Sequence, residues 1–527
     1  MANRFYITTP LYYVNAPPHL GHAYTEIVSD CLARYHRLNG EEVWFLTGSD
    51  EHGQKIARAA ESARLTPQAF VDQMIQPFQT LWRTLHVRYD DFIRTTESRH
   101  IRSVQAALQR LFDAHQLVKS IYTGWYCVPC ETYWTSTDFS AEQLAQSVKT
   151  CANCQRPVEA LEEEGYDLRL GGEAQQWLLH HLDTHPEFIV PETRRNEVRS
   201  LLERPLPEVL CVTRPVRRVG WGIPAPFDAH HVVYVWVDAL LNYISAVGFP
   251  DDQQRLAHWW PADVHVIGKD ILRHHAIYWP MLLHALGLEL PHTILAHGWW
   301  TVGDVKMSKS RGNVVDPQAV VAEYGVDALR YFVLREVPFG HDGVFTEEAL
   351  VKRFNADLAN DVGNLHFRTL TMVEKYTSGR IPSAHQCERS PADEVLARLR
   401  QALPQTLERA MARYDFVAAL EAILVAMNRA NKFIEEQAPW TVAAASHTAR
   451  LHGILWQLLE TLRVTTLTLW PFIPHAAERM WQALGWAEPL WQATDQRTLA
   501  QRIETAMFHD GQRIQKGQPL FPRRELT

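Results

Sequence analysis

Long apolar runs, cysteine and an excess of charge of one sign are all scarce in this 527-residue sequence. No stretch approaches the roughly 18 consecutive apolar residues that a membrane-spanning helix needs, so we expect no membrane partner. The first residues carry neither the apolar segment of a secretory signal nor an Arg- and Ser-rich transit pattern, and we expect a cytoplasmic protein. The 52 Lys and Arg residues against 60 Asp and Glu residues give a net charge of −8, which by itself argues against a nucleic-acid binder.

The seven cysteines are too scattered, and odd in number, for a disulfide framework. Four of them form two CxxC pairs, Cys127 with Cys130 and Cys151 with Cys154, with 20 residues between the pairs. Each pair can present two thiolates, and four thiolates complete the closed tetrahedral shell of a structural zinc ion. We therefore predict one structural Zn²⁺ at these four residues. The alternative is a set of reduced, buried thiols.

The order of strand and helix patterns predicts the architecture. A β-rich segment at 4–9, a helix with apolar residues spaced by four, and a second apolar strand at 43–47 form a βαβ unit, which indicates a parallel sheet. This pattern stops near residue 118 and resumes after about residue 225, and from about residue 345 only helical spacing remains. The resumed part contains predicted strands at 232–236, 264–267 and 293–297.

We therefore predict an α/β domain with a parallel sheet, split by a cysteine-bearing insertion and followed by an all-α domain. The first half of the α/β domain is predicted at 1–117 and its second half at 226–345. The insertion with the zinc knuckle is predicted at 118–225, and the α-helical domain at 346–527.

The motif His19-Leu20-Gly21-His22 lies between the first strand and the first helix. Backbone N–H groups and the helix dipole favour an anion at such a position, and Gly21 allows a ligand to approach the backbone closely. His19 and His22 are three residues apart and can donate to phosphate oxygens. The alternative is that they are two surface histidines among the 26 in the chain.

A second motif, Lys306-Met307-Ser308-Lys309-Ser310, is followed by Arg311 and Gly312. Three cations within six residues, with a glycine on either side, indicate a loop that can close on a polyphosphate. Lys306 and Lys309 would then stabilise the pyrophosphate that leaves in a nucleotidyl transfer. Without the first motif, a solvated basic loop is the alternative.

An HxGH motif near the N-terminus with KMSKS about 285 residues later strongly resembles the class I aminoacyl-tRNA synthetases. Segments such as YITTPLYY at 6–13, GSDEHG at 48–53 and YVWVDAL at 234–240 look like the methionyl-tRNA synthetase family, over nearly the whole chain. The resemblance implies a Rossmann-type catalytic domain and an enzyme that activates L-methionine with ATP and Mg²⁺ to methionyl-adenylate. It would then transfer methionine to the 3′ end of the methionine tRNAs, initiator and elongator.

The resemblance also implies roles for individual residues. Asp50 would hold the substrate ammonium, and aromatic and aliphatic side chains would surround the thioether, which suits a polarizable sulfur. The implied methionine pocket consists of Leu11, Tyr13, Asp50, Trp236, Ala239, Tyr243 and His275. ATP would bind at His19, Gly21, His22, Gly268, Asp270 and Lys309, and the catalytic residues would be His19, His22, Lys306 and Lys309.

In the helical half, Asn360, Asn364 and Arg368 follow an i, i+4, i+8 spacing. Amides and a guanidinium are groups that read base edges, and the indole of Trp440 offers a stacking surface. The resemblance assigns anticodon recognition to these four residues, in an anticodon-binding domain. The alternative is a solvated polar stripe.

Two other functions stay open at this point. The first is another class I synthetase of the same subgroup, for leucine, isoleucine, valine or cysteine, and the second is a non-catalytic tRNA-binding protein. The interval between the two motifs is too short for a separate editing domain in addition to half the nucleotide fold. Because the chain ends soon after the helical domain, without an appended dimerising domain, we expect a monomer.

Overall fold

The computed structural model describes residues 3–152, 154–204, 206–302, 305–306, 315–490, 496–509 and 511–525, with the backbone alone for Thr137, Val305 and Lys306. Within these ranges none of the helices combines the length and the apolar character that crossing a bilayer requires. The described residues form a parallel sheet with helices around it, three smaller sheets, and a helical half.

The N-terminal part alternates strands and helices, as the sequence pattern predicts. Helix α1 buries Ala23, Ile27 and Cys31, the residues spaced by four, and ends at Leu38 before Asn39 and Gly40. The elements are β1 Arg4–Thr8, β2 Tyr12–Tyr13, α1 Leu20–Leu38, β3 Glu42–Asp50, α2 Gln54–Ser62, α3 Pro67–Thr84, β4 Asp91–Arg94 and α4 Ser98–Asp113.

The cysteine-bearing segment is built on a four-stranded antiparallel sheet in the order β6-β5-β7-β9. Its longest ladder pairs β5 with β7 from Leu117 opposite Leu168 to Tyr126 opposite Glu159. The elements are β5 Leu117–Cys127, β6 Thr132–Trp134, α5 Ala141–Ala145, β7 Glu159–Arg169, α6 Gly171–Thr184, β8 Ile189–Val190, α7 Glu192–Leu202, β9 Val209–Cys211, β10 Thr213–Pro215, α8 Val216–Val219 and β11 Pro224–Ala225.

The third part returns to strand and helix alternation. A 3₁₀ turn at Lys269–Ile271 and a π-helical turn at His274–Tyr278 precede α12. The elements are β12 Asp228–Val233, α9 Val235–Leu240, α10 Asn242–Ser245, α11 Gln253–Trp259, β13 Val264–Gly268, α12 Trp279–Leu286, β14 Thr293–His297, β15 Trp300–Val302, β16 Val305–Lys306, α13 Pro317–Tyr324, α14 Val326–Arg335 and β17 Gly343–Val344.

The main sheet has the order β2-β3-β1-β13-β14-β8, with β4 also paired to β3, and all its pairings are parallel. The prediction of a Rossmann-type parallel sheet is therefore confirmed. The strand β1 lies between β3 and β13, so the two parts of the chain meet at the centre of the sheet. In open α/β sheets ligands bind at such a point, beyond the carboxyl ends of the strands. The edge strand β8 comes from within the predicted insertion, which the sequence pattern does not indicate.

The predicted strand at 232–236 is wrong in its second half. The strand β12 ends at Val233, and Val235–Leu240 form the helix α9. The β-branched and aromatic residues of this segment favour a strand, but α9 buries Val235, Val237 and Leu240, and this packing outweighs local propensity. Trp236 therefore lies on a helix, not on a strand.

The remaining described part of the chain consists of helices and the segments that join them, as predicted from about residue 345, with one isolated β-bridge between Arg380 and Arg513. The bundle packs around α20, which is buried along most of its length. The elements are α15 Glu347–Arg353, a π-helical segment Phe354–Gly363, α16 Asn364–Thr377, α17 Asp393–Met411, α18 Phe416–Gln437, α19 Pro439–Ala444, α20 Thr448–Leu469, α21 Pro474–Ala483 and α22 Leu499–Thr505.

Candidate active site

A cavity of about 360 Å³ lies at the carboxyl edge of the main sheet. Four of its lining residues end or follow sheet strands: Leu11 after β1, Asp50 at the end of β3, Gly268 at the end of β13 and His297 at the end of β14. The cavity brings together all the predicted methionine and ATP residues whose side chains the structure describes. These are Leu11, Tyr13, His19, Gly21, His22, Asp50, Trp236, Ala239, Tyr243, Gly268, Asp270 and His275.

The two histidines of the first motif form the N-terminal cap of α1. The Nδ1 atom of His19 accepts from the backbone N–H of Gly21 at 3.0 Å, and Nδ1 of His22 accepts from the backbone N–H of His19 at 3.0 Å. The two rings stack with their centroids 3.9 Å apart. A Cβ atom at Gly21 would lie 2.9 Å from Cε1 of His19, so the motif requires glycine there. Two rings and a helix N-terminus therefore face one end of the cavity, an arrangement that suits phosphate.

Asp50 has the character expected of a group that holds a cation. Its carboxylate is buried, and its Oδ1 atom has no hydrogen-bond partner. Burial, followed by the charges of Asp238 and Glu131, raises the pKa of Asp50 well above its ordinary value. A buried carboxylate that is short of partners binds an ammonium group strongly, because the ammonium supplies both charge and donors.

A pair of neutral side chains lies deeper in the cavity. The ring of His275 donates from Nδ1 to the Ile271 carbonyl at 3.0 Å, because that carbonyl can only accept, and Nε2 accepts from the Tyr243 hydroxyl at 2.8 Å. Burial lowers the pKa of His275 to about 4, so the ring is uncharged at neutral pH. Uncharged aromatic surface of this kind suits a thioether.

Trp236 forms a further wall of the cavity. Its indole stacks on the ring of His274 with 3.7 Å between centroids, and its buried Nε1 atom has no hydrogen-bond partner. Burial lowers the pKa of His274 to about 3, so this stack also carries no charge. The residue pattern alone favours ordinary core packing for Trp236, whereas the family resemblance assigns it to the methionine pocket. The structure places it at the cavity, half-buried.

The cavity also contains the residues predicted for the nucleotide sugar. The Trp299 indole donates to Oδ1 of Asp270 at 3.2 Å. A Cβ atom at Gly268 would lie 2.6 Å from the same Oδ1, so glycine is needed at the end of β13. Lys269 lies over the Trp299 ring at 4.1 Å and forms an ion pair with Asp342 at 2.6 Å. Asp270 therefore presents a carboxylate at the edge of the cavity, held by an indole.

The lining residues without a role in the sequence prediction include Lys55, Glu131, His297 and Trp299. His297 ends β14 and Trp299 follows it, so their position at a strand end could have indicated a place at the cavity. His297 donates from Nδ1 to the Gly298 carbonyl at 2.7 Å and accepts from the Thr25 hydroxyl at 2.8 Å. No local pattern marks Lys55 or Glu131, because both reach the cavity through tertiary packing.

The second motif lies mostly outside the described residues. Lys306 ends the strand β16, whose residues pair with β15 so that Lys306 is opposite Thr301. Trp300, next to Thr301 on β15, lines the cavity. The pairing of β16 with β15 therefore places the backbone of Lys306, the first residue of the KMSKS motif, near the site. Lys309 lies outside the described residues.

The four predicted zinc ligands form a cluster in which all four Sγ atoms lie within 4.8 Å of one another. The Sγ atoms of Cys127 and Cys154 are 3.6 Å apart, and those of Cys151 and Cys130 are 3.9 Å apart. A tetrahedron with Zn–S bonds of about 2.3 Å has edges of about 3.8 Å. The four thiols therefore fit a Zn²⁺ ion, and the described residues contain no other group of three or more potential metal ligands.

The predicted anticodon residues lie on the helical half. Asn360 is in the π-helical segment, Asn364 begins α16 and Arg368 follows on α16, while Trp440 lies on α19 with 46% of its surface exposed. Arg523 donates to Oδ1 of Asn360 at 2.7 Å. Arg368 pairs with Glu435 at 2.6 Å on a partly exposed surface. All four side chains are accessible from outside the bundle, whereas the neighbouring Leu358, Val362 and Leu365 are buried.

Comparisons with family models match both halves of the chain. A model described as "tRNA synthetases class I (M)" matches residues 5–370. A second, described as "Anticodon binding domain of methionyl tRNA ligase", matches residues 381–521.

Individual relatives agree with these matches. A methionine–tRNA ligase of Caldanaerobacter subterraneus subsp. tengcongensis is 45% identical over 525 residues, which cover 99% of this chain and 79% of that protein. That of Bacillus subtilis is 42% identical over 529 residues, covering 99% and 78%. A solved structure of Mycobacterium tuberculosis methionyl-tRNA synthetase in complex with methionyl-adenylate matches with a TM-score of 0.91 at 38% identity, covering 99% of this chain and 100% of that chain. The resemblance found from the two motifs is thereby confirmed: the chain belongs to the methionyl-tRNA synthetase family of class I aminoacyl-tRNA synthetases.

Proposed function

We propose that the cavity at the carboxyl edge of the sheet is the site where this ATP-dependent methionine–tRNA ligase activates L-methionine. The methionine ammonium would bind at Asp50, and its thioether would lie among Trp236, Tyr243 and His275. The observation that carries this proposal is the buried Asp50 carboxylate, which faces a cavity with uncharged aromatic walls and has an oxygen without a partner. A related protein from Mycobacterium tuberculosis is solved in complex with methionyl-adenylate, the intermediate that such a site would hold.

In the activation step the methionine carboxylate attacks the α-phosphorus of ATP. A carboxyl oxygen–phosphorus bond forms, the bond between the α-phosphorus and the bridging oxygen breaks, and pyrophosphate leaves. Mg²⁺ bound with ATP would supply positive charge for the phosphates. His19 and His22, at the N-terminus of α1, would donate to phosphate oxygens, and Lys306 and Lys309 would stabilise the departing charge. Asp270 would bind the ribose hydroxyls of ATP, with Gly21 and Gly268 allowing the nucleotide to approach the backbone.

The helical half would select the tRNA. Asn360 and Asn364 would donate to and accept from the edges of anticodon bases, Arg368 would donate to them, and Trp440 would stack on one base. The accessible positions of these side chains on one helical half support this assignment. Both the initiator and the elongator methionine tRNA would be substrates, with the methionyl group transferred to the 3′-terminal ribose.

The four clustered cysteines would hold one Zn²⁺ ion with a structural role. Four thiolates leave no coordination position for a substrate, so the ion would stabilise the insertion between the two catalytic halves. We place the boundaries of that insertion at residues 118 and 225 and that of the anticodon-binding domain at residue 346.

The decisive experiment is ATP–pyrophosphate exchange measured with each of the twenty amino acids. We expect exchange with methionine and no comparable exchange with leucine, isoleucine, valine or cysteine. A stronger response to one of those four amino acids would replace the methionine assignment. Tight tRNA binding without any exchange would mean a non-catalytic tRNA-binding protein.

A further inference from the structure

Glu131 occupies an unusual position next to the cysteine cluster. It directly follows Cys130, and its backbone φ of +50° lies in the left-handed region, which residues with a Cβ atom rarely adopt. Only 4% of its surface is exposed, although it is a charged residue at the end of a surface knuckle. The side chain lines the methionine cavity, beside Pro129 and Cys130 of the knuckle.

The Glu131 carboxylate accepts hydrogen bonds from three donors. Its Oε1 atom accepts from the backbone N–H of Lys55 at 2.7 Å. At 3.3 Å it also shares the proton of the Tyr13 hydroxyl with the His52 carbonyl, to which that hydroxyl donates at 2.8 Å. Its Oε2 atom accepts from the Tyr126 hydroxyl. The carboxylate is thus surrounded by donors from separate segments of the chain, which fixes its position.

One of these bonds caps a helix. The helix α2 begins after Gly53, which has no side chain to accept from the first N–H groups. The carboxylate of Glu131 supplies that acceptor across 76 residues of sequence, at Lys55 in the first turn, where negative charge also favours the helix dipole. Gly53 is required because its Cβ atom would lie 2.7 Å from the Tyr13 hydroxyl and 2.9 Å from Oε1 of Glu131.

The contacts of Glu131 reach three segments that form the cavity. Tyr13 is itself a cavity residue on β2, and α2 begins four residues after Asp50. The Tyr234 hydroxyl donates to the backbone carbonyl of Glu131, and Tyr234 immediately precedes α9, which carries Trp236 and Ala239. One residue therefore joins the cysteine knuckle to β2, to the start of α2 and to the start of α9.

We propose that Glu131 is a positioning residue for methionine, which couples the cysteine knuckle to the methionine pocket by fixing Tyr13 and the start of α2. This inference rests on the proposed assignment of the cavity to methionine. Glu131 forms hydrogen bonds with Tyr13, Lys55, Tyr126 and Tyr234, and none of these residues is predicted to bind ATP. Loss of the Glu131 side chain therefore lowers the affinity for methionine and not the affinity for ATP. An intact knuckle is accordingly a condition for methionine affinity.

The test uses the whole chain with zinc bound. Glu131→Gln keeps the size of the side chain but removes its charge, and Glu131→Gly removes the side chain while suiting the left-handed backbone, which guards against misfolding at the turn. The control is Glu159→Gln, because Glu159 is an exposed carboxylate of the same insertion that pairs with Arg58 of α2 at 3.4 Å. Methionine binding is followed by tryptophan fluorescence, the KM values for methionine and for ATP by pyrophosphate exchange, and zinc content by elemental analysis.

We expect both Glu131 variants to raise the dissociation constant and the KM of methionine by about tenfold or more, the loss that corresponds to one hydrogen bond to a charged group. The KM for ATP, the zinc content and the melting temperature of Glu131→Gln should stay close to those of the control. The effect of Glu131→Gln should also be smaller when Tyr13 is already Phe, since the two residues would act through the same bond.

Unchanged methionine binding in both variants, or equal losses for methionine and ATP, would overturn the inference. A failure of the proposed function looks different, because the unmodified enzyme itself would then show no methionine-dependent exchange.

Discussion

Arg330 Nη2 lies 2.7 Å from Oδ2 of Asp30, and neither side chain is exposed. Asp30 lies on α1, the helix that begins at the HxGH motif, and also pairs with Arg34 at 2.7 Å. Arg330 lies on α14 and donates to the carbonyls of Pro471 and Phe472, which follow α20 in the helical half. A buried ionic cluster thus ties the helix of the nucleotide site to the bundle that carries the predicted anticodon residues.

Asp30→Asn should destabilise the protein strongly. The substitution leaves two buried guanidinium groups without their counter-charge, and breaking a buried pair in this way costs about 3–5 kcal/mol. Urea denaturation gives the free energy of unfolding of the variant and of the unmodified protein.

The matched control is Asp251→Asn, because the Asp251 side chain is 63% exposed and that of its partner Arg102 is 59% exposed. We expect that exposed pair to contribute less than about 1 kcal/mol. Equal effects of the two substitutions would contradict the role given to the buried cluster.

Methionine binding should weaken as pH falls, because the ammonium needs Asp50 in its ionised form. Burial and the charges of Asp238 and Glu131 raise the pKa of Asp50. Methionine affinity should therefore begin to fall at a higher pH than it would with an ordinary aspartate, whose pKa is about 3.9. Titration of methionine binding between pH 4 and pH 8 measures this dependence. In Asp50→Asn the affinity should be low at every pH and its pH dependence in this window should be lost, while ATP binding serves as the internal control.

The same substitution should stabilise the protein without its substrates. A carboxyl whose pKa is raised on folding favours the folded state when protonated, and this contribution is lost as pH rises through the folded pKa. Above that pKa the buried charge is a cost, which the neutral amide introduced by Asp50→Asn avoids. Thermal unfolding at neutral pH should therefore show a higher melting temperature for the variant. A lower melting temperature would mean that the Asp50 carboxylate supports the fold itself.

Strand ends and signature motifs were predictable from sequence, and the residues that support them were not. His19 and Gly21 lie at the start of α1 and Asp50 at the end of β3, so their position at one sheet edge follows from the alternation of strands and helices. Glu131 is different, because it caps a helix 76 residues earlier in the chain and no local pattern announces that bond. Arg330 reaches across the molecule in the same way. Long-range contacts of this kind depend on the assembled fold, which a periodicity of two or of 3.6 residues does not encode.

The cysteine cluster should bind one zinc ion per chain. Cys154→Ser removes one of the four thiols and should lower both the zinc content and the stability of the insertion, since a structural site contributes directly to folding. Cys387→Ser is the control, because Cys387 is half-buried in the helical half and lies outside the cluster. Elemental analysis of the purified variants and the absorption of cobalt-substituted protein measure occupancy and thiolate ligation. Full zinc content in Cys154→Ser would show that the fourth thiol is not a ligand.

Trp440→Ala should separate the two steps of the reaction. The indole lies on α19 in the helical half and is 46% exposed, which is unusual for so large an apolar ring and suits stacking on a base. Stacking on one base contributes about 1–3 kcal/mol, so aminoacylation of methionine tRNA at limiting concentration should fall roughly 5- to 150-fold. Pyrophosphate exchange without tRNA should be unchanged, since the nucleotide and methionine sites lie at the main sheet.

Val425→Ala is the control, because Val425 is a 50% exposed apolar residue on α18 of the same bundle. Equal losses of exchange and aminoacylation in Trp440→Ala would refute this separation, because a ring that acts only on tRNA cannot slow a reaction from which tRNA is absent.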